Sequence, residues 1–299
     1  MTRLRDQRGE VSLTELLVAA VLMLIVGSAA LLGMETFRRV EHTTTQRNDA
    51  QDHARAALDR MSRQLRNLAS PTPSQPQAVD RATPYDAIFQ TVDPVGPNAG
   101  TNATNVERVR WCLDAGTPTA KLWMQRQTWT TALPPAVPSS TACPAPTGGG
   151  ANWADAQVVA EHVVNRRDGL DRPLFSFNSA TPTDISALHA DVVIDRDPGA
   201  GAAETRLSTG VYLRNQNRRP TAAFTATRSA QGIVLNGSLS SDPEADGLRF
   251  QWYVGGTAID GADEVVYTMP ATAGQSYSIK LVVEDSAGLD GSTTQVVTG

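Results

Sequence analysis

At 299 residues, 40% apolar and 19% charged, the chain has room for about two domains beyond any anchor and too much apolar content for wholesale disorder. The net charge of −5 is uneven: residues 219–299 hold nine acids and four bases, −5 by themselves, whereas residues 35–70 hold seven arginines against five acids, +2. No segment is strongly basic, which excludes a primary nucleic-acid binder.

The N-terminal "MTRLRDQRGE" is short, polar and carries three arginines, like the n-region of a signal peptide. From Leu16 to Met34 there is no charge. Nineteen residues make a helix of about 28 Å, long enough for the core of a bilayer. Glu15 stands at the mouth of this run, where a carboxylate needs a partner or a proton. From Glu35 the pattern becomes amphipathic. Ala57/Leu58, Met61, Leu65 and Leu68 make one apolar stripe, with Arg55, Arg60, Arg63 and Arg66 between them. No Pro or Gly interrupts residues 35–70, and "SPTPSQP" (70–76) then stops the helix. The spacing predicts one helix of about 55 residues, a membrane half followed by a half whose stripe needs a β-sheet as cover.

"VSLTELLVAAVLM" (11–23) resembles the N-terminus of type IV prepilins and pseudopilins: a short basic leader ending in Gly, then a Phe-Thr-Leu-Ile-Glu-Leu pattern and an apolar helix. Val11, Ser12, Leu13, Thr14 and Glu15 match, which places Glu15 at the fifth mature position. The resemblance implies cleavage on the cytoplasmic side by a prepilin peptidase, methylation of the new N-terminus, and entry of the subunit into a helical fibre. It also implies that the new α-amine of one subunit pairs with Glu15 of another, so that Glu15 sets registry between subunits. One departure is visible. Glu10 lies between Gly9 and Val11, so cleavage after Gly9 moves Glu15 to the sixth position, and cleavage after Glu10 puts a charge where Gly is expected.

In the middle segment, 106–114, 121–129, 174–178, 187–195 and 208–215 read as strands: short, rich in β-branched or aromatic residues, and bounded by Gly, Pro or Asp. "VVAEHVVN" (158–165) fits a strand or a short helix. Cys112 and Cys143 read as one disulfide closing a loop of about thirty residues if the chain is exported, and as two unlinked thiols if it is not. The strand series resembles the globular part of the larger, J- or W-type minor pseudopilins.

The last eighty residues open on a Pro. "VLNGSLSSDPEADGLRFQW" and "YSIKLVVEDSAGL" resemble the signature segments of a PKD domain, an immunoglobulin-like sandwich, over about 220–298. The resemblance implies a core of Trp252 with Leu235, Leu248, Phe250, Ile279, Leu281 and Val283. The family's "FGDG" is replaced by "YVGG" (253–256). Asp242, Glu244 and Asp246 share one loop and are weak calcium candidates; turn formation explains them equally well.

The four histidines, His42, His53, His162 and His189, lack metal-site spacing, and no nucleophile elbow, phosphate loop or Cys/His pairing occurs. The chain is therefore expected not to be an enzyme and to need no cofactor. The expected fold is α+β: leader 1–10, transmembrane and amphipathic pilin helix 11–70, pilin-like β-rich head 71–218, PKD-like sandwich 219–299. The expected role is a minor pilin or pseudopilin of a type IV pilus or type II secretion-like fibre, displaying the sandwich for adhesion or protein interaction. Its expected partners are other pilin subunits, a prepilin peptidase/N-methyltransferase, the membrane, and a surface polysaccharide or protein. The expected location is the cytoplasmic membrane, single-pass with the C-terminal region outside, and then a surface fibre. The alternative is a membrane-anchored binding module for polysaccharide or protein that never enters a fibre.

Overall fold

A computed structural model describes residues 13–73, 75–92, 105–131, 133–148, 153–167, 169, 172–199 and 204–299. The chain divides into two units, Met1–Gln51 and Asp52–Gly299. A single helix, α1 (Leu13–Arg66, 54 residues), begins in the first and ends in the second. In the first unit its span Leu13–Glu35 has a mean hydropathy of 2.6 and none of it is buried. By length and composition that span is able to cross a membrane, or to act as a signal sequence.

In the second unit the stripe Ala54, Ala57, Leu58, Met61 and Leu65 is buried, while Arg63 and Arg66 are exposed. Burying each of the larger side chains contributes about 1.5–3 kcal/mol. The helix ends at Arg66, three residues before the expected Ala69, because Leu68 bridges Thr91 and the Ala69 N–H donates to Gln90 O at 2.9 Å. Its last carbonyls would be orphans. They are met from the sheet: Thr91 Oγ1 lies 2.8 Å from both Gln64 O and Asn67 O and shares its single hydroxyl hydrogen between them, and the Val92 N–H donates to Asn67 O at 2.9 Å.

The sheet has eight antiparallel strands: β1 (Val79–Thr83), β2 (Asp86–Val92), β3 (Val106–Leu113), β4 (Ala120–Thr128), β5 (Asp155–Val163), β6 (Phe175–Phe177), β7 (Ala187–Ile194) and β8 (Thr205–Tyr212). Their order is β1-β2-β3-β4-β5-β7-β6, with β8 on the other side of β7. All five segments expected as strands fall on strands, and the ambiguous 158–165 belongs to β5. There the pairing with β4 shifts register and His162 takes φ 60°, which blurs the alternation.

One face of the central strands meets the helix, with Trp111 Nε1 donating to Gln64 Oε1 at 3.0 Å. The opposite face carries Arg108, Arg110 and Cys112. Residues 129–131 and 133–148 cover it as an irregular strap. Cys143 is bonded to Cys112, Arg108 donates to Pro135 O at 3.0 Å, and Gln125 and Ala145 exchange two hydrogen bonds of 2.9 Å. The arginines beneath the strap are fully paired. Arg108 Nε lies 2.7 Å from Asp80 Oδ2 with both side chains 5% exposed or less, and Arg110 makes two bonds to Asp86, of 2.8 and 2.9 Å. Buried charges at this depth persist only with such matched partners.

The C-terminal region packs two antiparallel sheets. One is β9 (Thr225–Ser229), β10 (Gly232–Asn236) and β13 (Val266–Met269), in the order β13-β10-β9. The other is β11 (Arg249–Val254), β12 (Thr257–Ala258), β14 (Ser276–Glu284) and β15 (Asp290–Thr298), in the order β12-β11-β14-β15. Trp252, Leu235, Ile279, Leu281 and Val283 are fully buried in one cluster, with Leu248 and Phe250 packed at its margin. Phe224 meets Trp252 edge-on at 5.2 Å, and Trp252 Nε1 donates to Glu264 O at 2.9 Å, so the large ring is both packed and satisfied. The "YVGG" stretch ends β11 and turns into β12. Gly255 and Gly256 have φ of 56° and 87°, the backbone that a two-residue hairpin turn requires.

The two β regions meet at residues 215–218. Asn215 Nδ2 donates to Leu68 O at 3.1 Å, and Gln216 receives the Ala78 N–H at 3.2 Å and donates to Pro182 O at 2.9 Å. Asn217 Nδ2 donates to the buried Asp285 Oδ2 at 2.7 Å, and Arg218 Nε lies 2.6 Å from Glu244 Oε1. Asp285 Oδ1 in turn accepts the Ala287 and Leu289 N–H groups, closing the β14–β15 turn. Gly291 sits under this junction, where a Cβ would come 2.0 Å from Pro220 O.

Candidate functional site

Glu15 lies in the first turn of α1, at the head of the apolar span, and is exposed like the rest of it. Leu16, Leu17 and Val18 beside it are 64%, 60% and 56% exposed, an all-round apolar surface that only lipid or other apolar helices satisfy. The expected processing positions Gly9, Glu10 and Val11, like the leader 1–10, lie outside the described residues.

Cys112 and Cys143 are bridged across 31 positions of sequence, and Cys112 is fully buried. The bond ties the strap to the middle of β3.

The acidic loop of the sandwich is engaged internally. Asp242 Oδ1 accepts the N–H groups of Glu244 at 2.8 Å and Asp246 at 3.0 Å, Glu244 pairs with Arg218, and Asp246 Oδ2 accepts the Ser286 hydroxyl at 3.0 Å. These are the bonds of an acidic turn and of the junction. Among the described residues no group of three or more His, Cys, Asp or Glu side chains is arranged to hold a metal.

The outer face of β6, β7 and β8 forms a shallow groove of about 400 Å³ that includes Ser176, His189, Gly210 and Tyr212. Ser176 also lines a neighbouring cleft of about 340 Å³ walled by two ion pairs. Arg206 makes a two-pronged contact with Asp191, at 2.9 and 2.6 Å, and Arg172 with Glu204, at 2.6 and 2.9 Å. The hydrogen-bonded guanidinium of Arg206 holds the Asp191 carboxyl below its ordinary range, and Arg172 does the same to Glu204. His189 Nε2 lies 3.4 Å from Asp191 Oδ2. A glycine and an exposed tyrosine two apart on one strand were the available signal, but their partners arrive from 174–178 and 187–191 only through strand register.

No family model matches the chain, and no curated protein does. Among solved structures it is similar to the PKD1 domain of Vibrio anguillarum Epp, at 22% identity and a TM-score of 0.24 over 28% of this chain and 95% of that one. The sandwich is therefore described by its own strand order and core.

Proposed function

We propose that the chain is a minor pilin- or pseudopilin-like subunit, anchored by its N-terminal helix and then built into a fibre through it, with the sandwich displayed for adhesion or protein contact. The observation that carries this reading is α1 itself. It is one unbroken helix, headed by Glu15, that is apolar on all sides over its first part and one-sided over its second. A simple anchor needs only the first part, whereas a fibre subunit needs both. The prepilin-like "VSLTELLVA" behind a basic leader supports the same reading, with a cut at Gly9–Glu10 or Glu10–Val11 and methylation of the new terminus. On this reading the helix, the eight-stranded head and the sandwich are separate modules with boundaries near 70 and 218, the C-terminal modules lie outside the cytoplasmic membrane, and the protein works as a structural and binding subunit rather than a catalyst.

The test is the fibre itself. In low dielectric the α-amine of one subunit and Glu15 of another form a pair, and removing one side of a buried pair costs roughly 3–5 kcal/mol, or two to three decades in a docking equilibrium. Glu15→Val is expected to leave membrane insertion intact, since losing a charge beside an apolar span eases partitioning. It is expected to deplete the protein from sheared fibres. Equal fibre incorporation of wild type and variant discards the registry role, and an N-terminus that retains Met1 in the presence of a prepilin peptidase discards the family reading.

A further inference from the structure

Side chains alternate along a strand, so residues in register on β6, β7 and β8 form rows on the exposed face. Tyr212 stands opposite Ala187; the next row is Ser176, His189 and Gly210. Tyr212 is 74% exposed although Val211 and Leu213 on either side of it are buried. The ring is bare because the two positions able to shade it carry almost nothing: Ala187 across the strand and Gly210 along it. A Cβ at Gly210 would meet only His189 Nδ1, at 3.8 Å, so packing does not demand glycine there. The result is an aromatic face beside a flat floor. Beyond Ser176 the groove runs on to the Arg206–Asp191 and Arg172–Glu204 pairs, whose charges cancel.

We infer that this groove binds a neutral oligosaccharide. The tyrosine offers an apolar ring with a polar tip, the match for the C–H face and hydroxyl rim of a pyranose. The floor at Gly210 lets a ring lie flat against the sheet. The two ion pairs hold each other in planar forks, so the donors and acceptors lining the cleft are fixed before a ligand arrives and little ordering is lost on binding. Hydroxyl groups both donate and accept, and so are able to bridge a guanidinium and a carboxylate held side by side. A charged polymer finds no net charge to pair with. From Arg206 to Tyr212 the strand runs about 20 Å, room for a short oligomer rather than one ring. An extended peptide, by contrast, would add to the edge of β8 through its backbone and leave the face untouched. The inference is independent of fibre assembly.

Full-length protein in a detergent without a sugar headgroup is titrated with cellohexaose, chitohexaose and polygalacturonate, and hydrogen exchange maps the contact. A neutral oligomer is expected to bind and to protect residues 187–191 and 206–212. Tyr212→Ala and Gly210→Val are each expected to weaken it at least tenfold with unchanged thermal unfolding; valine suits a strand and only fills the floor. The inference is overturned if neither neutral oligomer binds, if polygalacturonate is preferred, if both variants bind as wild type, or if protection falls only on residues 219–299.

Discussion

The two β regions solve the same problem with different materials. The C-terminal sandwich buries two apolar sheet faces against each other, and its core cluster of Phe224, Ile233, Leu235, Trp252, Ala262, Met269, Ile279, Leu281 and Val283 contains no charge. The eight-stranded sheet packs α1 on one face, and on the strap side it buries only a small apolar cluster of Ile88, Ala145 and Trp153 among the described residues. Its other central face is closed by an irregular strap over two buried arginines, glutamines and a disulfide. A sheet facing a second sheet is specified by alternation alone. A sheet facing a loop must also satisfy the loop's backbone, and the Arg108, Gln125 and Arg81 side chains do so by donating to carbonyls of Pro135, Ala145 and Ser140. Buried polarity here marks where regular structure ends.

The sharpest way to break the contrast is to insult each core in its own terms. Trp252→Ala should cost the sandwich about 3–5 kcal/mol through cavity formation. Arg108→Met should cost the head about 3–5 kcal/mol by stranding the Asp80 carboxylate. Denaturant unfolding of the full chain measures both. The contrast predicts that adding Asp80→Leu to Arg108→Met restores much of the loss, whereas no second polar change rescues Trp252→Ala. Next in size is the disulfide. Reduction, or Cys112→Ala with Cys143→Ala, should lower head stability by roughly 3–4 kcal/mol on the chain-entropy model and leave a Trp252 fluorescence reporter of the sandwich unmoved.

A smaller effect tests the junction. Asn217→Ala leaves Asp285 Oδ2 buried without its donor, an expected loss of about 1–3 kcal/mol, and should separate the head and sandwich transitions if they coincide in the wild type. The smallest effect is on acid titration. Asp191, Glu204 and Glu161 have carboxyls lowered by Arg206, Arg172 and Lys121. A carboxylate with a depressed folded value contributes stability that is complete above its unfolded value near 4 and is lost as pH falls through the folded one. These pairs are largely solvated, so the head should weaken only slightly below about pH 4, by less than any substitution above.

How much of this the sequence disclosed follows the same contrast. Helix α1 was legible because the stripe Leu58, Met61, Leu65 keeps a single period for several turns. The sandwich core was legible because Trp252 and the residues on β10, β11 and β14 alternate strictly. Strands β1 and β2 were not recognised: "VDRATPYDAIFQTV" places Asp80, Arg81 and Asp86 among the apolar residues, and Asp80 and Asp86 are paired by Arg108 and Arg110 on another strand, with Arg81 also on Asp86. Strand β5 stayed ambiguous for the local reason that His162 steps out of the pleat. The groove at Tyr212 was invisible because three separate strands, spread over residues 175–212, supply it through their register. The disulfide was open in the sequence until β3 and the strap were seen to meet.

Residues 215–218 also determine how a pull is transmitted. Linkers between modules are ordinarily the slack in a chain, the place where proteases cut and tension is absorbed. Here Gln216 and Asn217 are each 2% exposed, and four consecutive side chains are clamped in turn to the turn after α1, the residue that leads into β1, the β14–β15 turn and the acidic loop. Traction on the sandwich is therefore handed through Asp285 and Asn217 to the carbonyl of Leu68, two residues beyond the end of α1, with no free tether to stretch first. Such a seam behaves as a weld: a load on the sandwich reaches the end of the helix as soon as it is applied.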